Sequence, residues 1–461
     1  MILPLVCAAA AAASPECILE WCAERSTGLK MSADIVPAIV AVQEQNLDKL
    51  DKLFHEVSDP THPNYGNYLS YDEMYELVGN PAGTEAVLKW LRGAGLRAEV
   101  TKSRYSVRAA GPVPAMERAF GTKYALWTHR SRKDPLTGKR AQMLRARDYK
   151  VPDSVKQHVA AVGLVSEFYE MKPQYGPTPA PPTPAPDEEE GAAPPDDDAA
   201  TDDDAATDDG AATDDGAATD DGATTNAYCG ANHQDTFGNV VPSTLWAQYS
   251  TPCTPTCDAA WTDQHTSNSF GVFESGSYAS QSDLDMFFEK YMCEDSGCNS
   301  KVPPPTIDVK AGANHPKKAG GEASLDVQYM SAIAPGMSSL DGWWAGTDAG
   351  TPAGFAQSFV QLADYLNQQG SPYVVSISYG LPEAVLPKNT MNNANTAFKN
   401  AGARGVSIIV ASGDAGASNY RGGNVTPDSS YCGFYPSFPA SSPYVTAVGA
   451  TSFGSTLETT P

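Results

Sequence analysis

Glu322 and Asp326 stand four positions apart in the stretch GGEASLDVQYM, residues 320–330, beside the apolar Leu325, Val327, Tyr329 and Met330. On a helix this spacing puts both carboxylates on one face, about one turn apart. Two adjacent carboxyls do not both ionise readily, so one proton is held between them and one pKa rises. Such a pair suits a general base working in acid, where a histidine is already protonated. The same spacing also fits two exposed helix carboxylates that repel each other mildly. A third acid, Asp414, follows Ser412 and Gly413 in ASGDAG, residues 411–416, at the end of an apolar run. It is either a turn residue bonding its own backbone or a protonated acid that donates to a developing oxyanion.

The elements that must position these acids are legible around them. SFGVFES, TIDVKAG, YVVSISYG, VSIIVASGD and YVTAVGATSF read as strands. SQSDLDMFFEKYM, GGEASLDVQYMSAIA, FAQSFVQLADYLNQQG and NTMNNANTAFKNAGARG read as helices, the first capped by Ser280 or Ser282 and the third ended by Gly370. Short continuous apolar runs alternating with helices predict an α/β unit over 226–461, its parallel sheet covered on both faces. Ligands bind beyond the carboxyl ends of such strands, and ASGDAG sits at one of them.

Residues 30–172 differ in pattern. IVAVQ reads as a strand, NLDKLDKLFHEVS as an amphipathic helix and DPTHPNYGNYLS as a turn-rich link. SYDEMYELVG, GTEAVLKWLRGAG and PVPAMERAFGT read as further helices, and RAEVTKSRYSVRAAG as strand. The mixture predicts a small α+β domain, basic in its second half through Arg130, Arg132, Lys133, Lys139, Arg140, Arg145 and Arg147. Residues 173–225 are a linker: a proline-rich extended start, then AATDDG repeats that cannot bury apolar surface and repel one another.

The net charge of −24 is mostly that linker, because 16 acidic and no basic residues lie between Asp187 and Asp221 and taking them out leaves −8. With no basic stripe, nucleic-acid binding is excluded. Residues 1–16 form a short apolar run ending in small residues, as in a secretory signal peptide although without a positive start; no segment is apolar enough to span a membrane. Of nine cysteines, Cys7 lies in that leader, and the rest include three close pairs, Cys17/Cys22, Cys253/Cys257 and Cys293/Cys298. With a secretory start, disulfides of undetermined pairing are expected. His233 and His265 do not supply zinc-ligand spacing, and Asn424-Val425-Thr426 is a glycosylation sequon.

GGEASLDVQYM, VVSISYG, IIVASGDAGAS and FPASSPYVTAVGATSF together resemble the sedolisin family of serine-carboxyl peptidases, which includes kumamolisin. LFHEVSDPTHPNYGNYLSYDEM and VLKWLRGAG resemble that family's activation propeptide, and VPSTLWAQYS, residues 241–250, the opening of the mature enzyme. The resemblance implies a subtilisin-like fold and peptide-bond hydrolysis in acid, with the enzyme a secreted, lysosomal or vacuolar zymogen and a monomer, acting on peptides and held by its own propeptide. It implies Glu322 as the base that takes the serine proton, Asp326 as the group that holds and polarises Glu322, and Asp414 as an oxyanion stabiliser.

The family's nucleophile, a serine in Gly-Thr-Ser-Ala-Ser, lies well after the Ser-Gly-Asp segment, and no such motif occurs before Pro461. Ser452 in GATS matches a family strand, not the nucleophile. The peptidase unit is therefore expected to be carboxyl-terminally incomplete and inactive as it stands. The family's calcium is expected too, but with ligands beyond the end of this sequence, so none is named. The alternative is a non-catalytic chain whose propeptide-like domain inhibits related peptidases, which the presence of all three acids disfavours.

Overall fold

A computed structural model of the chain describes residues 17–18, 21–23, 34–134, 137–168, 172–173, 240–249, 270–292, 303–334, 339–345, 359–414, 416, 435–450, 452–453 and 458–459. The leader, most of the linker, Cys253, Cys257, Cys293, Cys298, Cys432, His233, His265 and the sequon lie outside these residues.

The amino-terminal half builds two antiparallel sheets. Strands β1 (Cys17–Ile18) and β2 (Trp21–Ala23) precede β3 (Ile35–Val42). Helices α1 (Leu47–Ser58), α2 (Tyr71–Val78) and α3 (Pro81–Gly93) follow, then β4 (Arg97–Val100), β5 (Ser106–Pro112), α4 (Val113–Phe120), β6 (Tyr124–Lys133), β7 (Arg140–Ala146), α5 (Asp153–Lys156), β8 (Val159–Gly163) and β9 (Lys172–Pro173). One sheet has the order β4-β5-β3-β8 and the other β1-β2-β6-β7. Apolar residues at helical spacing make α3 and α4 amphipathic, and Val87, Leu91, Met116 and Phe120 bury their stripe on Val36, Val40, Val107 and Ala109 of the first sheet. The start of α2 is fixed by a reciprocal cap, with the Glu73 N–H donating to Ser70 Oγ at 3.3 Å and the Ser70 N–H to Glu73 Oε2 at 2.8 Å. A disulfide joins Cys17 to Cys22 across the β1–β2 hairpin, one of the close pairs seen in the sequence. This is the expected small α+β domain.

The second half is built on a parallel sheet. After α6 (Pro242–Gln248) come β10 (Phe270–Ser275), α7 (Gln281–Tyr291), β11 (Thr306–Ala311), α8 (Gly321–Ile333), β12 (Ser339–Ala345), α9 (Phe359–Leu366), β13 (Val374–Ile377), β14 (Tyr379–Pro382), α10 (Lys388–Ala403) and β15 (Ser407–Ala411). The short strands β16 (Ser437–Phe438), β17 (Thr446–Val448), β18 (Ser452–Phe453) and β19 (Glu458–Thr459) complete the order. Six strands, β11-β12-β10-β13-β15-β17, form one sheet in which every pairing is parallel. Successive residues of a strand face opposite sides. Val272 packs with Leu284 and Phe288 of α7 and Val327 of α8, whereas Phe273 packs with Phe359 of α9 and Phe398 of α10. Helices therefore cover both faces, as the apolar runs predicted.

Met1–Tyr175 and Tyr228–Pro461 make one compact unit. Helix α1 rests on α10, where Lys399 Nζ donates to Asp51 Oδ1 at 3.1 Å and the Leu69 N–H donates to the Ala403 carbonyl at 3.1 Å. Asp364 of α9 accepts from Thr101 Oγ1 at 2.6 Å and from Ser103 Oγ. Strand β9, with the last residue given to the first domain and the first given to the linker, pairs antiparallel with β14 through Lys172–Gly380 and Pro173–Tyr379.

Candidate active site

The start of α8 is pinned to the end of β10. The Gly320 N–H donates to the Tyr278 carbonyl at 2.9 Å, and the Ala323 N–H donates to Ser277 Oγ at 3.1 Å. A Cβ on Gly320 would lie 2.6 Å from Ser277 Oγ, so only glycine allows this approach. The helix then carries Glu322 in its first turn and Asp326 one turn on, both turned inward. Glu322 is 3% exposed, which removes the reading of two surface carboxylates.

Behind them, on the α8 face of central strand β10, lies Glu274, 0% exposed. Tyr379 Oη donates to its Oε2 at 2.9 Å. Ser378 stands at the break between β13 and β14 and donates to Asp326 Oδ1 at 3.0 Å. The apolar run YVVSISYG predicts one strand; the chain instead breaks at Ser378, and the break aims that hydroxyl at the acids. Asp414 is placed by the end of β15 and by Gly413, whose φ of 107° is open to glycine. Ser452 lies in β18, where it pairs with Thr459.

The electrostatics follow from burial. Glu322 is pushed up to about 8, chiefly by burial and then by the charge of Asp326, with Asp414 adding to the rise and a hydrogen bond from Ser378 opposing it. Asp326 is pushed up to about 6 by burial, against hydrogen bonds from Ser378 and Glu274. Burial and the charge of Asp326 drive Glu274 well above the carboxylate range. Asp414 is raised by burial to about 6. Glu322 Oε2, Asp326 Oδ2 and Glu274 Oε1 have no hydrogen-bond donor. Fully ionised carboxylates would leave these buried oxygens unpaired, at a cost of several kcal/mol. Protons held among the carboxyls satisfy them, so the cluster stores protons in a pH range where lone carboxyls have none.

The structure thus brings Glu322, Asp326 and Asp414 into one electrostatic neighbourhood, from α8 and from the end of β15. Sequence reasoning missed Glu274, Ser378 and Tyr379. The alternation of FGVFES carried a signal for Glu274, since a glutamate inside a wholly buried strand must have a partner. Among the described residues no three His, Cys, Asp or Glu side chains are grouped to hold a metal ion. Nor is any described helix long and apolar enough to cross a membrane.

Residues 27–168 match the family model for the pro-kumamolisin activation domain. Over 418 residues the chain is 27% identical to tripeptidyl-peptidase 1 of Rattus norvegicus, covering 90% of this chain and 61% of that protein. The first domain is thus similar to the pro-kumamolisin activation domain, and nine tenths of the chain is similar to a tripeptidyl-peptidase. A second relative is aorsin of Aspergillus oryzae, 30% identical over 252 residues, or 46% of this chain and 37% of aorsin. The chain spans about six tenths of the length of the rodent tripeptidyl-peptidases it matches, 61%. A solved Pseudomonas sedolisin, a serine-carboxyl proteinase complexed with pseudo-iodotyrostatin, shares 22% identity over 41% of this chain and 50% of that one. Its TM-score of 0.30 is too low to bear on the fold.

Proposed function

We propose that the chain belongs to the zymogen of a serine-carboxyl peptidase that hydrolyses peptide bonds in an acidic setting, secreted or lysosomal. The observation that carries the reading is the buried pair Glu322 and Asp326, backed by Glu274 and facing Asp414. In this reading Glu322 acts in the state of the cluster where Asp326 or Glu274 holds the shared proton, and takes the proton from an attacking serine hydroxyl as its oxygen bonds to the scissile carbonyl carbon. Asp326 holds Glu322 in place and shares its proton, and Ser378 steadies Asp326. Asp414, kept protonated by burial, donates to the oxyanion that forms and so lowers the barrier where charge develops. The proton on Glu322 then passes to the leaving amine.

The attacking serine is expected in a Gly-Thr-Ser motif, which the 461 residues do not contain, so the reaction is proposed for a chain that supplies it. The zymogen part of the reading is supported by β9, whose main chain lies along β14 beside Ser378. A propeptide strand there fills an edge that an extended peptide could otherwise pair with.

The test is peptide hydrolysis by a full-length gene product after propeptide removal, measured from pH 3 to pH 8. Hydrolysis in the acid range, lost on the order of 10²–10⁴-fold in Glu322→Gln with the fold kept, is the expected result. Wild-type turnover in that variant refutes the assignment of the base.

A further inference from the structure

On the opposite face of the sheet from α8, a second buried acid joins the two domains. Glu44 follows β3 of the activation domain and is 8% exposed; Asn400 of α10 is 0% exposed. Asn400 Nδ2 donates to Glu44 Oε1 at 3.0 Å. Asn400 Oδ1 is buried without a hydrogen-bond partner, as is the Tyr105 hydroxyl close to Glu44. An ionised carboxylate only accepts, so it cannot serve that amide oxygen. A neutral carboxyl adds one O–H donor and can meet both faces of the amide, accepting from the N–H and donating to the C=O.

We propose that Glu44 is the proton-binding site of the propeptide contact: it docks on Asn400 as a neutral acid, so closing the activation domain onto the sheet half takes up a proton. The groups around it are consistent with this. Lys399 is the cation facing Glu44 from α10, but its ammonium is engaged by Asp51 of α1 at 3.1 Å and stands 4.9 Å from the Tyr444 ring centroid. Tyr105 brings a neutral hydroxyl. Arg404, whose charge reaches Tyr105, is turned to the Leu366 carbonyl at 2.6 Å. Burial outweighs both Asn400 and Lys399 and lifts Glu44 from 4.5 to about 8.

The direction of the pH effect follows. A carboxyl whose pKa is raised on docking contributes stability that is complete below its free value and is lost as pH rises through its docked value. For Glu44 that window runs from about 4.5 to about 8. This contact therefore tightens in acid, and it keeps the propeptide seated while the medium acidifies.

The proposal does not depend on peptidase chemistry, and its test reads docking. Hydrogen exchange of residues 34–60 and 388–405 is followed in the full chain from pH 4.5 to pH 9, corrected for intrinsic exchange. One linked proton makes opening up to about tenfold more favourable per pH unit across the window, levelling above it. In Glu44→Gln, an isosteric amide that pairs with Asn400 without a titrating proton, that slope should shallow by the share of one proton, leaving the part that Asp364 contributes at the same contact, while the same segments stay protected. The same slope in both proteins overturns the proposal, as does a flat wild-type profile. Should Glu44→Gln not fold, the difference between the protonated-acid carbonyl bands of wild type and Glu44→Asp at pH 6 decides it, because Glu274 and Glu322 contribute to both alike. Identical bands in the two proteins overturn the proposal.

Discussion

The carboxyls of Glu274 and Asp326 lie within hydrogen-bond reach of each other, and each keeps one oxygen without a donor. One proton between them satisfies both. Glu274→Gln replaces that shared proton with a fixed amide donor to Asp326 while its carbonyl can still accept from Tyr379. Asp326 should then ionise more readily, and the acid limb of kcat/KM for a full-length enzyme should move to lower pH. A profile superimposable on wild type removes Glu274 from the proton network.

Ser378→Ala works in the opposite direction. The Ser378 hydroxyl favours the ionised forms of both Glu322 and Asp326, and alanine takes that support away. Both carboxyls should hold their protons to higher pH, so the acid limb should move upward. An unchanged limb together with a raised KM would mean that Ser378 serves substrate binding alone.

Stability should fall as pH rises. Glu44, Glu274, Glu322, Asp326, Asp364 and Asp414 are all raised in the folded chain, mainly by burial. Each contributes stability that is complete in acid and is lost as pH passes its folded value, about 6 for Asp326 and about 8 for Glu322. The thermal midpoint should drop by several degrees between pH 5 and pH 9, given about 2–4 °C per kcal/mol for a domain of ~150–250 residues. Glu322→Gln should shallow that slope. A midpoint that rises over this range contradicts the buried, proton-holding cluster.

The parallel sheet was legible because its strands are short apolar runs between helices, and the helix holding Glu322 and Asp326 because its acids recur at one-turn spacing. Period and apolarity say which elements form. They do not say how far an acid is buried, which is why Glu322 and Asp326 admitted an exposed reading until α8 was seen against β10. Ser378 was hidden for a related reason: VVSISYG is apolar and β-prone throughout, and nothing local marks the break after Ile377. The β6–β7 hairpin went unread because its charged residues mask the alternation that buries Trp127 and Met143. Contacts between domains, Glu44 with Asn400 among them, leave no local pattern at all.

One such contact has a measurable cost. A Cβ on Gly402, near the end of α10, would stand 2.6 Å from Phe54 Cε2 of α1. Within a helix, alanine is favoured over glycine by roughly 0.5–1 kcal/mol, so Gly402→Ala should stabilise the chain if only the helix mattered. Overpacking a filled contact costs about 1–3 kcal/mol, and the Phe54 ring is further held edge-on to Tyr444 at 5.4 Å. The expected outcome is a net loss of about 1 kcal/mol in urea unfolding, with faster hydrogen exchange in α1. Phe54→Leu should be destabilising alone and should recover part of the loss when combined with Gly402→Ala, since the smaller side chain vacates the space. Additive effects in the double variant, or a stabilised Gly402→Ala, would mean that α1 does not pack on α10 through this pair.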